Sequence, residues 1–157
     1  MNAETPSQTA GPYVHLGLLA DGLVPLTSRI AAPDMVLEGI VYDGADEPLL
    51  DALVELWDPS RGQWLRSATH AETGLYRFAL RRPAAAFVNL YLLARGINLG
   101  LHTRAYLAPA PGDPLLTALG HRAATLRARE LSGGGAMPAC RFDIRLQGEG
   151  ETVFLNP

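Results

Sequence analysis

Gly74-Leu75-Tyr76-Arg77-Phe78-Ala79-Leu80 alternates along its length, placing Tyr76, Phe78 and Leu80 on one side of an extended chain and Leu75 and Ala79 on the other. A period of two is the pattern of a half-buried strand. The same pattern recurs on both sides of this stretch. Met35 to Tyr42 is a β-type run stopped by the turn cluster Asp43-Gly44-Ala45-Asp46-Glu47-Pro48. Ala52 to Trp57 alternates and ends at Asp58-Pro59. Phe87 to Leu93 and Leu99 to Leu107 flank Ala94-Arg95-Gly96-Ile97-Asn98, which reads as a hairpin. Cys140 to Leu146 alternates most strictly of all, and Glu151 to Leu155 reads as a short last strand. Only Asp113 to Leu119 and Arg122 to Glu130 read as helical, and Ser132-Gly133-Gly134-Gly135 reads as a flexible loop. Seven short strands separated by Gly/Pro turns predict an all-β protein, a β-sandwich with one or two short helices.

The first 34 residues differ. Pro6, Gly11, Pro12, Gly17, Gly22, Pro25 and Pro33 leave no room for a long helix, so residues 1–34 read as an extended N-terminal arm on a sandwich domain of residues 35–157. The 157 residues suit one domain. A hydrophobic fraction of 48% against 18% charged residues excludes a disordered chain. A net charge of −3 argues against nucleic acid or an anionic membrane as the main partner. The 13 basic residues are all arginine, which removes Schiff-base and P-loop lysine chemistry. Cys140 is the single cysteine, so no internal disulfide or cysteine metal cluster is expected. No apolar run approaches the ~20 residues of a membrane span, and the N-terminus reads as no leader peptide. The expectation is a cytoplasmic protein.

Three stretches carry a resemblance. They are Glu4-Thr5-Pro6-Ser7-Gln8-Thr9-Ala10-Gly11-Pro12-Tyr13-Val14-His15, Leu93-Ala94-Arg95-Gly96-Ile97-Asn98-Leu99 with Leu101-His102-Thr103-Arg104 and Tyr106, and Arg141 to Phe154 through Gln147-Gly148-Glu149-Gly150-Glu151-Thr152. In this order they resemble the α subunits of protocatechuate 3,4-dioxygenases, which are intradiol ring-cleaving enzymes. Gly39 to Gly44 and Val54 to Trp57 also fit, so the resemblance spans nearly the whole chain. It implies an α/β hetero-oligomer in which the β subunit holds a non-haem ferric iron through two tyrosines and a His-x-His strand motif. The implied reaction opens protocatechuate with O2 to 3-carboxy-cis,cis-muconate, the metal acting as a Lewis acid on the catecholate.

Set against that pattern, this chain has Phe87-Val88-Asn89 where the His-x-His strand is expected. Ala79 to Ala86 contains no tyrosine, and the chain passes from Trp64 to Gly74 without one. Ferric iron is therefore expected in the partner β subunit and not in this chain. The rival reading is a stand-alone, non-catalytic transthyretin-like binding module. An adjacent reading frame encoding His-x-His and paired tyrosines separates the two.

Arg95 stands at the hairpin tip. Residue chemistry alone makes it a solvated turn arginine, whereas the resemblance implies that it serves the partner's substrate site, its planar fork suited to a carboxylate. Thr9, Gly11 and Pro12 are turn chemistry on their own terms; the resemblance implies that they wall the active site across the α/β interface. His15, His70, His102 and His121 show no metal-ligand spacing, and His102 is expected to be buried and hydrogen-bonded. Cys140 reads as a small core residue. Glu149 and Glu151 read as a turn or interface loop, and Trp57 and Trp64 as packing at strand ends.

Overall fold

A computed structural model describes residues 30–132 and 136–156. The expected arm therefore lies, apart from residues 30–34, outside the described residues. Where seven strands are expected, the described residues form nine. They are β1 Met35–Tyr42, β2 Leu53–Asp58, β3 Gln63–Ala68, β4 Leu75–Leu80, β5 Phe87–Leu93, β6 Leu101–Tyr106, β7 Arg129–Leu131, β8 Ala139–Arg141 and β9 Ile144–Arg145. One sheet runs β4-β1-β8-β7, with β9 also on β1, and the other runs β3-β2-β5-β6. The two inner faces supply one core. Met35, Leu37 and Val41 of β1 and Tyr76, Phe78 and Leu80 of β4 meet Val54, Leu56, Leu65, Val88, Leu90 and Leu92 of the second sheet. The alternation that predicts β4 is the one observed, with Tyr76, Phe78 and Leu80 fully buried.

The stretch Cys140 to Leu146, expected as one strand, is two. Both β8 and β9 run parallel to β1 in a single register, Leu37 opposite Cys140 and Val41 opposite Ile144. Between them the ladder passes through a side chain, because the Asp143 carboxylate accepts the Ile40 N–H at 2.8 Å and the Arg141 guanidinium at 2.6 Å. The alternation survives the break, for Cys140, Phe142 and Ile144 are all buried. Gly39 sits at this break. A Cβ there would overlap the Phe142 carbonyl and crowd the Tyr76 hydroxyl, and that hydroxyl donates to the same carbonyl. Burial raises the Tyr76 pKa well above the ordinary phenol value, so the group stays a neutral donor.

Helix α1 (Pro114–Leu119) begins where expected. Asp113 caps it through Leu115 N and Leu116 N, and proline opens the first turn. Arg122 to Glu130, expected as helix, is instead a 3-10 helix (Gly120–Leu126) followed by the edge strand β7. It lacks a side-chain cap, and β7 has an edge of β8 to pair with. The expected last strand, Glu151 to Leu155, is a strap. Thr152 N donates to Arg145 O at 3.0 Å in the first sheet, and Leu155 N donates to His102 O at 2.7 Å in the second.

Candidate functional site

The outer face of the second sheet is set by parity. Val54 and Leu56 turn inward on β2, so Glu55 and Trp57 turn outward; β3, β5 and β6 follow the same rule. Register then lines the outward residues into two rows across the four strands. One row is Trp64, Trp57, Asn89 and Arg104; the other is Arg66, Glu55, Tyr91 and His102. Trp64, Trp57 and Asn89 of one row and Glu55, Tyr91 and His102 of the other line an open cavity of about 440 Å³.

Trp57 and Trp64, expected to pack at strand ends, stand directly opposite each other and are 45% and 53% exposed. Nothing on this face covers them among the described residues, because the buried side of both strands already belongs to leucine. Arg66 is fixed by Glu55 at 2.5 Å and lies 5.2 Å from the centre of the Trp64 ring. His102, expected to be buried and hydrogen-bonded, is half-buried and packs tilted against Tyr91, ring centres 4.4 Å apart. Gly100 makes room for that pair, since a Cβ there would overlap the Tyr91 ring.

Phe87 and Asn89, at the positions where the resemblance implies histidines, both project on this face of β5. The Arg104 guanidinium lies 4.3 Å from the centre of the Phe87 ring. A phenyl ring, a neutral amide and a neighbouring guanidinium do not fit a ferric ion. Among the described residues no group of three or more His, Cys, Asp or Glu side chains forms a metal site.

Arg95 lies apart from the cavity, past the end of β5. The turn is closed by Ile97 N to Ala94 O at 3.2 Å, with Gly96 at φ 81° as a tight turn requires. The Arg95 side chain is 72% exposed and contacts Asp51 at 3.2 Å. Two apolar side chains, Leu50 and Leu99, are exposed in the flanking segments, Leu99 at 81%. Thr9, Gly11, Pro12 and His15 lie outside the described residues. His70 and His121 are exposed on the surface. Cys140 is buried, which raises its thiol pKa and keeps it an unreactive core residue. Glu151 lies in a turn closed to Gly148 O at 3.1 Å and faces Arg122 at 3.8 Å.

Sequence reasoning named Arg95 but not the cavity. The outward parity of Glu55 and Trp57 is a signal in the sequence, whereas the meeting of Asn89 and His102 with them depends on register across three strands.

No model of a known protein family matches the chain. Among curated proteins it is 37% identical, over 194 aligned positions, to the protocatechuate 3,4-dioxygenase alpha chain of Pseudomonas putida, covering 98% of this chain and 96% of that one. It is 31% identical to the protein of the same name from Burkholderia cepacia, covering 98% and 97%. Both alignments are longer than this chain, so those relatives carry insertions that it lacks. Among solved structures it resembles the dioxygenase domain of a dioxygenase carbohydrate-binding protein fusion from Streptomyces sp. SirexAA-E, with TM-score 0.52, 22% identity and coverage of 92% and 98%. It also resembles catechol 1,2-dioxygenase from Acinetobacter sp. ADP1, with TM-score 0.52, 20% identity and coverage of 83% and 59%. The structural likenesses establish the sandwich as the intradiol dioxygenase fold.

Proposed function

The chain belongs to the family of protocatechuate 3,4-dioxygenase alpha chains, and from that membership we propose that it completes the active site of an iron-bearing β subunit for the O2-dependent intradiol cleavage of protocatechuate to 3-carboxy-cis,cis-muconate. It is an oxidoreductase subunit that works in a hetero-oligomer. The observation that carries this reading is identity maintained over nearly the full length of both chains. Ferric iron, in this reading, is held by the partner. What supports that division is the chemistry of Phe87, Asn89 and Arg104, which offers a ferric ion neither ligands nor favourable charge.

The chain's own contribution is Arg95. Its guanidinium stands at the tip of a short turn, where Asp51 pairs with its Nε at 3.2 Å and leaves the side chain 72% exposed. A planar fork so presented suits a carboxylate on the partner's substrate. Thr9, Gly11 and Pro12 are assigned to the wall of the same pocket on the family resemblance. Among the described residues no helix is long and apolar enough to cross a membrane, and we assign the complex to the cytoplasm, with no nucleic-acid partner.

The test is reconstitution. Co-expression with a protocatechuate 3,4-dioxygenase β subunit is expected to give a hetero-oligomer containing iron, and protocatechuate-dependent O2 uptake that neither subunit shows alone. Full activity of the β subunit without this chain, or stoichiometric iron in this chain purified alone, overturns the reading.

A further inference from the structure

Leu53 pairs with Leu93 at the end of the β2–β5 ladder. Carried two residues further, the same antiparallel register sets Asp51 directly opposite Arg95, one residue outside the core on each strand. Both backbones are anchored just inside these positions. Ala52 is fully buried, its N–H donating to Thr69 Oγ1 at 3.0 Å and its carbonyl accepting the Thr69 N–H at 2.9 Å. Ala94 is buried as well, and its carbonyl closes the turn that carries Arg95. The backbones of Asp51 and Arg95 are thus fixed by residues that cannot shift without disturbing a close-packed core.

The two side chains are held unequally. Asp51 is short and 24% exposed, whereas Arg95 is long and 72% exposed. Among the described residues no aromatic ring lies against Arg95, in contrast with Arg66, which Glu55 and Trp64 fix together. Asp51 is therefore the group that restricts the rotamers of Arg95. A guanidinium presents two hydrogen-bonding edges. The contact runs through Nε, so it engages the inner edge and leaves the outer one, Nη1 and Nη2, for a second anion. Ion pairs this exposed contribute little to stability, which makes orientation the better account of this one.

We propose that Asp51 is a positioning residue for substrate recognition, holding the Arg95 guanidinium so that its outer edge meets the carboxylate of the aromatic substrate in the partner's site. This rests on the reading of Arg95 given above, and Asp51 itself touches no substrate. Its own charge has an opposing effect, because a carboxylate this close to Arg95 also repels an anionic substrate. Positioning and repulsion predict opposite signs when that charge is removed, so the sign decides between them. Restricting an arginine side chain in advance is worth at most roughly 30-fold in affinity. A net effect of roughly 10-fold lies within that bound.

Steady-state kinetics of the complete α/β complex test this, with Asp51→Asn, Arg95→Ala and the double variant introduced into this chain. Asp51→Asn is expected to raise KM for protocatechuate roughly 10-fold, to leave kcat within about two-fold, and to leave both constants for catechol unchanged. In the Arg95→Ala background the same substitution is expected to add nothing, because Asp51 acts only through Arg95. Should Asp51→Asn fail to assemble, Asp51→Ser carries the same expectations. The proposal is overturned by an unchanged or lowered KM for protocatechuate, by an equal loss on catechol, or by an Asp51→Asn effect that persists without Arg95. Arg95→Ala alone separates this proposal from the reading beneath it. If Arg95→Ala is selective for protocatechuate and Asp51→Asn is silent, the positioning role falls and the reading of Arg95 stands; if Arg95→Ala is itself silent, both fall.

Discussion

Arg95 is where residue chemistry and family membership give different answers, and the two differ in measurable ways. A solvated turn arginine tolerates alanine with a stability change within about 0.5 kcal/mol and no kinetic effect. An arginine reading the substrate carboxylate contributes a charge-assisted hydrogen bond of roughly 1.5–3 kcal/mol. Arg95→Ala in the assembled complex is therefore expected to lower kcat/KM for protocatechuate by roughly 10- to 150-fold. Catechol, which lacks the carboxylate, is expected to lose much less, and equal losses would mean general damage to the pocket. Asp113 offers a second test at the same scale. Burial alone would raise its carboxyl pKa, but the Tyr106 hydroxyl and the Leu116 and Leu115 N–H groups outweigh it and hold the group below its ordinary value. A depressed carboxylate stabilises the fold at pH values above its unfolded pKa and loses that contribution as pH falls through the folded one. Asp113→Asn is expected to flatten the acid side of the stability–pH curve, and an unchanged curve in urea titrations across that range would refute the role.

At the scale of elements, β1 depends on one missing side chain. Gly39 lets the Tyr76 hydroxyl and the Phe142 carbonyl meet against the strand, and backbone, unlike the end of a side chain, has little freedom to retreat. Gly39→Ala is expected to cost about 3 kcal/mol or more, read as a lower denaturant midpoint. The same neighbourhood shows what sequence conveys and what it does not. The inward set Cys140, Phe142 and Ile144 follows from period-two alternation alone. That the ladder there borrows the Asp143 carboxylate does not, because the acceptor is fixed by a partner strand 103 residues away. Strand β3 is not legible in the sequence for a related reason. Its largest residue, Trp64, faces out while Leu65 and Ser67 face in, which inverts the hydrophobic pattern. The cavity was hidden by the same inversion, since large aromatics were expected to be covered. Arg122 to Glu130 misled in the other direction: its residues suit a helix, but an open edge of β8 claims the last of them as β7.

For the whole molecule, the Arg95 end of the sandwich carries exposed apolar surface that the proposed assembly would cover. Leu99 is 81% exposed on the segment that follows the turn, and Leu50 adjoins Asp51, which holds Arg95. Burying a leucine contributes about 1.5–3 kcal/mol, so Leu99→Glu is expected to weaken subunit assembly by roughly 10- to 150-fold. Sedimentation of the mixed subunits measures this, and an unchanged Kd with intact folding would remove Leu99 from the interface. The isolated chain is correspondingly expected to self-associate or to melt below the temperature of the complex. The placing of β1 has a consequence for how the molecule is made. It is the first strand in chain order among the described residues, yet it lies between β4 and the β8–β9 pair. On the ribosome, β4 emerges soon after β1 and closes one side, but the other edge stays open until residue 139 and its successors leave the tunnel. For most of synthesis the nascent chain therefore presents an unpaired, apolar β edge to the cytosol, the state most prone to capture by chaperones or by a neighbouring copy.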